Sequence, residues 1–211
     1  GSKVPRASTA VWRGISLQTL LQRVNIRQRF ARFVSADGYV TGFPLENLAG
    51  AVLAHSMNDT SLSHEHGFPL RLIVPGNYGY KMPKWITRIE LTDTEPVGFW
   101  ESRGWSNHGI IQTSAEIIRP YNRESVHGSV IISGVAYTGT GAIRHIEVNI
   151  DDGPWMPVEF NPVPQNGVTN WRIEWRPSFA GDYVIRVRAF DGSGWSEQSA
   201  RAGILVHVVD R

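Results

Sequence analysis

The chain has 211 residues, 41% hydrophobic and 19% charged, a globular composition and a length that suits one large domain or two small ones. It contains no cysteine, which excludes disulfides, thiolate zinc sites and cysteine nucleophiles within these residues. Its net charge of +2 gives no electrostatic ground for nucleic-acid binding, no apolar run reaches the roughly 18 residues of a membrane span, and no signal-peptide pattern stands at the start.

The cations are unevenly chosen. Lysine occurs only at positions 3, 81 and 84, and the other basic residues are all arginine, whose planar fork suits bidentate anion recognition. Residues 1–113 carry a net charge of +4 and residues 114–211 a net charge of −2. The first part is therefore the expected anion binder.

In chain order, Ser16 can cap a helix whose apolar residues Leu17, Leu20, Leu21 and Val24 repeat at helical spacing. Short apolar segments at 29–35, 51–57, 70–74 and 85–91 are bounded by Gly, Pro, Asn or Asp and read as strands. The piece at 42–48 reads as a helical turn opened by Pro44. "NDT" at 58–60 fits a glycosylation sequon, but more simply makes a turn.

From about Ala115 the texture changes. Strand-like segments follow at 129–137, 143–150, 155–160, 170–176, 182–190 and 202–209. Turn signals separate them at 151–153, 165–167, 180–182 and 191–194. In 182–190, Tyr183, Ile185, Val187 and Ala189 share one face against Val184, Arg186 and Arg188. This spacing predicts an immunoglobulin-like β-sandwich. Without cysteine its core is expected to rest on aromatics, with Trp155, Trp171, Trp175 and Trp195 as candidates.

The richest stretch is "HEHGFPLRLIVPGNYGYKMPKW" at 64–85. His64 and His66 would share one face of a strand, yet a metal would need a third ligand such as Glu65 or His108. Around the strand "LRLIV" stand His66, Arg71, Lys81 and Lys84, with Gly67, Gly76 and Gly79 permitting close backbone approach. Cations and amides in such loops hold phosphate groups, and a solvated basic face accounts for the same spacing equally well. "GTGAIR" at 139–144 lacks the third glycine of a dinucleotide fingerprint.

The stretch resembles the molybdopterin-binding domain of the sulfite oxidase family, through H-G-F-P-L-R, an apolar strand, P-G and K-W. "WRGISLQTLL" (12–21), "ARFVSADGY" (31–39), "VLAHSMND" (52–59) and "GFWESRGWS" (98–106) fit in the same order. "IIRP" (117–120), "SGVAYTGTGAIRHIEVNIDDGPW" (133–155) and the segment 171–194 resemble the family's C-terminal dimerisation domain. The resemblance implies an α+β fold, with a partial molybdopterin domain at 1–113 and an immunoglobulin-like dimerisation domain at 114–211. It implies that His66, Arg71 and Lys84 bind the pterin and its phosphate, with Trp105, Arg103 and His108 near the pocket. It also implies a homodimer, an electron-transfer partner for the parent protein and an extracytoplasmic (periplasmic) setting.

Three departures accompany the match. The family holds molybdenum through a cysteine thiolate, which this chain lacks; the expectation is a chain truncated at its N-terminus. Where the family places a tyrosine beside the metal stands Trp105, which donates one hydrogen bond but neither ionises nor accepts. The family's C-terminal arginine tail is not recognisable. The chain thus reads as a fragment of a molybdenum-cofactor oxidoreductase, inactive alone, retaining no metal and no cofactor. The alternative is a non-catalytic binding or scaffold module that keeps the fold.

Overall fold

The computed structural model describes residues 10–163 and 167–210. These form two compact units, 10–111 and 112–210.

Within the first unit the strands are β1 (Trp12–Ser16), β2 (Phe30–Ser35), β3 (Val40–Pro44), β4 (Val52–Met57), β5 (Thr60–Ser61), β6 (Arg71–Ile73) and β7 (Ile86–Thr92). One sheet runs β1-β4-β5 with β6 also paired to β4, and the other runs β3-β2-β7. Alternation explains their packing. In β2, Ala31, Phe33 and Ser35 point into the core and their neighbours are only half-buried. Phe33 meets Phe43 of β3 edge to face at 6.2 Å, and Leu17, Leu48, Leu53, Leu72 and Val74 complete the cluster.

The second unit contains β8 (Ser114–Arg119), β9 (Glu124–Val126), β10 (Val130–Tyr137), β11 (His145–Ile150), β12 (Met156–Pro157), β13 (Thr169–Trp175), β14 (Gly181–Phe190) and β15 (Ile204–Val208). They make a three-stranded sheet, β13-β10-β8, and a five-stranded sheet, β12-β11-β14-β15-β9. Ile132, Ala136 and Trp171 from the first share one buried core with Ile146, Val148, Ile185, Val187 and Val206 from the second. Gly134 of β10 is required for that pairing, because a Cβ there would stand 1.8 Å from the Glu116 carbonyl oxygen of β8.

Past the end of β14, Asp191 gathers surrounding donors. Its Oδ2 accepts from the hydroxyls of Thr113 at 2.5 Å, Thr140 at 3.0 Å and Thr138 at 3.2 Å. Its Oδ1 accepts from the Ser193 amide and hydroxyl and from the Gly194 amide. Burial raises the carboxyl pKa, but these hydrogen bonds prevail and hold it well below the usual carboxylate range.

Several expectations are corrected. Helix is scarce among the described residues: α1 (Leu17–Leu21) and α2 (Glu197–Arg201) have five residues each, so α+β is replaced by a mostly β architecture. The helix expected through Val24 stops at Leu21. Leu17 is wholly buried, whereas Leu20 and Val24 are exposed and gain nothing from extending it. Residues 42–48 split into the end of β3 and a 3-10 turn at Leu45–Leu48. Of the four tryptophans assigned to the second core, Trp171 is buried and Trp175 packs against it. Trp155 and Trp195 instead clasp the Arg188 guanidinium at 4.3 and 4.1 Å, while Arg188 also binds Glu147 at 2.6 Å. The turn read at 165–167 falls mostly outside the described residues.

Candidate functional site

Residues 63–67 form a turn, not a strand, so His64 and His66 do not share a strand face. The amides of His66 and Phe68 donate to the Ser63 carbonyl, and the Gly67 amide to that of His64. Gly67 adopts φ +103°, and a Cβ there would meet Lys84 Cβ at 3.0 Å and Arg71 Cβ at 3.1 Å. Only glycine lets both side chains pass on either side of this backbone.

Arg71 opens β6, half-buried, and its Nη1 donates to the His66 carbonyl at 3.0 Å. Its guanidinium lies 4.9 Å from the ring centroid of Trp12 on β1. Arg71 Nε is buried without a hydrogen-bond partner, and burial pushes the guanidinium below its ordinary pKa. Lys84 Nζ donates to the Glu65 carbonyl at 2.6 Å. Arg71 and Lys84 thus both bond carbonyls of the turn that carries His66.

Trp85 fixes the direction of Lys84. It holds φ +51°, an unusual conformation for a bulky side chain. Its ring lies tilted against that of His64, centroids 5.2 Å apart, its Nε1 donates to the His64 carbonyl at 3.0 Å, and its carbonyl accepts from the Ala36 amide at 2.8 Å. The turn and the start of β7 are therefore tied together on both sides of Lys84.

Lys84 also borders a cavity of about 210 Å³ lined by Asp37, Tyr39, Gly79, Tyr80, Met82, Pro83, Trp85 and Trp100. The Tyr39 hydroxyl donates to the Tyr80 carbonyl at 2.5 Å. Burial, reinforced by the Glu101 carboxylate, pushes this phenol up to about 12. Sequence reasoning did not single out Asp37, Tyr39 or Trp100 as lining residues; the "ADGY" turn was the one local signal for the first two.

Lys81 is a different kind of residue from Lys84. Its side chain is wholly buried, and Nζ donates to Glu101 Oε1 at 2.7 Å and the Gly42 carbonyl at 2.6 Å. The Phe43 ring centroid lies 4.5 Å from Nζ. Burial lowers its pKa, and the Glu101 carboxylate opposes that shift. Lys81 is committed to a buried ion pair and leaves the anion-binding set.

The other three site residues lie around the 98–108 segment. Trp105 is half exposed, with its ring 4.9 Å from both Tyr80 and Trp100. Arg103 folds over Phe99, with its Cζ 3.6 Å from the ring centroid and Nη1 donating to the Phe99 carbonyl at 2.7 Å. His108 is exposed, and its carbonyl accepts from Asn77 Nδ2 at 2.6 Å. Trp105 reaches the cavity wall through Trp100 and Tyr80, while Arg103 and His108 do not line it. No group of three metal-ligating side chains occurs among the described residues.

Residues 2–100 match the family model of the oxidoreductase molybdopterin binding domain. Mitochondrial sulfite oxidase of Rattus norvegicus is 28% identical over 203 residues, covering 80% of this chain and 37% of that protein. An NADH nitrate reductase of Lotus japonicus is 28% identical over 193 residues, covering 69% of this chain and 21% of that protein. The chain therefore spans well under half the length of these relatives. Among solved structures, the sulfane dehydrogenase SoxCD of Paracoccus pantotrophus superimposes with a TM-score of 0.71 at 23% identity, over 86% of this chain and 51% of that one. The match identifies the first part of the chain with the molybdopterin binding domain of oxidoreductases. Over most of its length the chain is similar to members of the sulfite oxidase family.

Proposed function

We propose that residues 10–111 are the part of a molybdenum-cofactor oxidoreductase that grips the phosphate-bearing pyranopterin, with Arg71 and Lys84 as its anion ligands and His66 beside them. The observation that carries this reading is Arg71: a half-buried guanidinium with an orphaned Nε, one turn away from a second cation. A phosphate oxygen supplies the charged acceptor that two backbone carbonyls do not. The donor set fits the group.

Bound molybdopterin supplies the dithiolene sulfurs that carry molybdenum and its oxygen-atom or electron-transfer chemistry. The chain's own residues position it. Gly67 clears the approach, Trp85 and Trp100 offer apolar ring faces, and the Tyr39 phenol, its proton held by the Tyr80 carbonyl, braces the cavity wall. In this reading no residue of the chain replaces the family's thiolate, a soft ligand, so the chain alone retains no molybdenum and is inactive.

The absence of cysteine also favours a second reading, a scaffold module that has lost the cofactor altogether. The two part on pterin binding. Incubation with molybdopterin released from a molybdenum enzyme, followed by gel filtration and fluorescence of the oxidised pterin, is expected to show pterin with the protein but no stoichiometric molybdenum by elemental analysis. Stoichiometric molybdenum with sulfite-dependent electron transfer would overturn the inactive-fragment reading, and absence of pterin would leave the scaffold.

For residues 114–211 we propose an immunoglobulin-like sandwich that mediates a symmetric dimer. Support comes from the two sheets that share a single core.

A further inference from the structure

Four oxidisable rings run in unbroken contact beside the cavity. Trp100 meets Trp105 at 4.9 Å, Trp105 meets Tyr80 at 4.9 Å, and Tyr80 meets Tyr78 at 6.3 Å. Trp100 and Tyr80 line the cavity wall, and Trp100, Trp105 and Tyr78 are 36%, 50% and 40% exposed. The series therefore joins the cavity to the protein surface.

We propose that Trp100, Trp105, Tyr80 and Tyr78 form a relay that carries one-electron oxidising equivalents between the cavity and the surface. Indole and phenol are the side chains that lose an electron most readily in a cysteine-free chain, and ring contact at these separations permits rapid hopping between them. The oxidant is a strong one-electron acceptor, such as an inorganic radical or an over-oxidised metal centre. It takes one electron from an indole, whose N–H proton leaves to water, giving a neutral indolyl radical. That radical then regains one electron and one proton, while the Tyr80 phenol loses one electron and its hydroxyl proton. The net change is transfer of one hydrogen atom, from Tyr80 to Trp105.

The geometry favours Tyr80, on the cavity wall, as the site that receives the oxidising equivalent from exposed Trp105. The Tyr80 hydroxyl donates to the Ser106 carbonyl at 2.6 Å, and burial raises its pKa. The phenol is thus held protonated until it is oxidised, and phenoxyl formation is coupled to proton release. The relay is a property of the protein alone and does not depend on whether pterin binds.

Pulse radiolysis of the 211-residue chain with azide radical, which oxidises indoles first, tests it. A separate indole–phenol contact, Trp175 with Tyr183 at 4.9 Å, is removed by working in a Trp175→Phe background. The expected result is a first-order decay of indolyl absorption, independent of protein concentration and matched by growth of phenoxyl absorption. Trp105→Phe and Tyr80→Phe should each abolish that phase. Tyr80→Phe keeps the ring and loses only the hydroxyl, so it separates a broken relay from a misfolded segment. Persistence of the phase in Tyr80→Phe and Trp105→Phe, or its absence from the parent, would overturn the relay.

Discussion

Lys81 and Lys84 stand three positions apart in one loop and have opposite fates. Lys81 is sealed in with Glu101, whose Oε1 also accepts from Thr41 at 2.6 Å and whose Oε2 is buried without a partner. Removing one member of such a pair leaves an uncompensated buried charge, a cost of about 3–5 kcal/mol. Lys81→Met is therefore expected to lower stability by that order, and Lys81→Met with Glu101→Gln should recover part of it; urea titrations of the two variants check this. Asp191 makes a second prediction, at acid pH. Its folded pKa lies below the unfolded value of about 3.9, so its stabilisation is complete above that value and is lost as pH falls below it. Asp191→Asn should lower stability near neutral pH by about 2 kcal/mol and remove that component of the acid dependence, as melting curves from pH 7 downward would record.

Elements were legible to different degrees. Strands with clear apolar runs, such as β2, β4, β7, β10, β11, β13 and β14, lie where alternation and bounding turns put them. The Asn58–Asp59 turn was readable too: both residues sit at positive φ between paired Met57 and Thr60. β1 was missed because "WRGIS" leaves four of its five residues exposed and shows no alternation. Its place comes from pairing with β4, a long-range contact that local pattern does not encode. At the candidate site, the glycine-rich loops and cations were visible, but not which cation is buried. That depends on Glu101, twenty positions from Lys81 and brought to it only by tertiary folding. Gly67 offers a test at this scale. Gly67→Ala places a Cβ against the Arg71 and Lys84 side-chain stems at positive φ, so it should spread the two cations and weaken pterin binding while the far-UV spectrum is retained. Unchanged affinity would mean that the turn does not set their spacing.

At the scale of the molecule, the division near residue 113 was suggested by a change of texture and charge, and the compact units meet in sequence at 111 and 112. The sandwich core was expected to rest on four tryptophans. It rests mostly on β-branched residues, because Trp155 and Trp195 are taken by the Arg188 stack. A cation between two rings looks the same as a core tryptophan in sequence. If residues 114–211 mediate association, light scattering of the full chain should give a dimer mass that persists on dilution through the micromolar range, and a constant monomer mass would count against it. The central proposal, that Arg71 and Lys84 grip the pterin phosphate, is tested most directly by titrating the chain with molybdopterin and following tryptophan fluorescence, since Trp85 and Trp100 line the cavity. Saturable quenching is expected, with affinity reduced in Arg71→Ala by the loss of a charge-assisted bond, about 1.5–3 kcal/mol or roughly ten- to a hundredfold, and similarly in Lys84→Ala. Equal affinity of the two variants and the parent would contradict it.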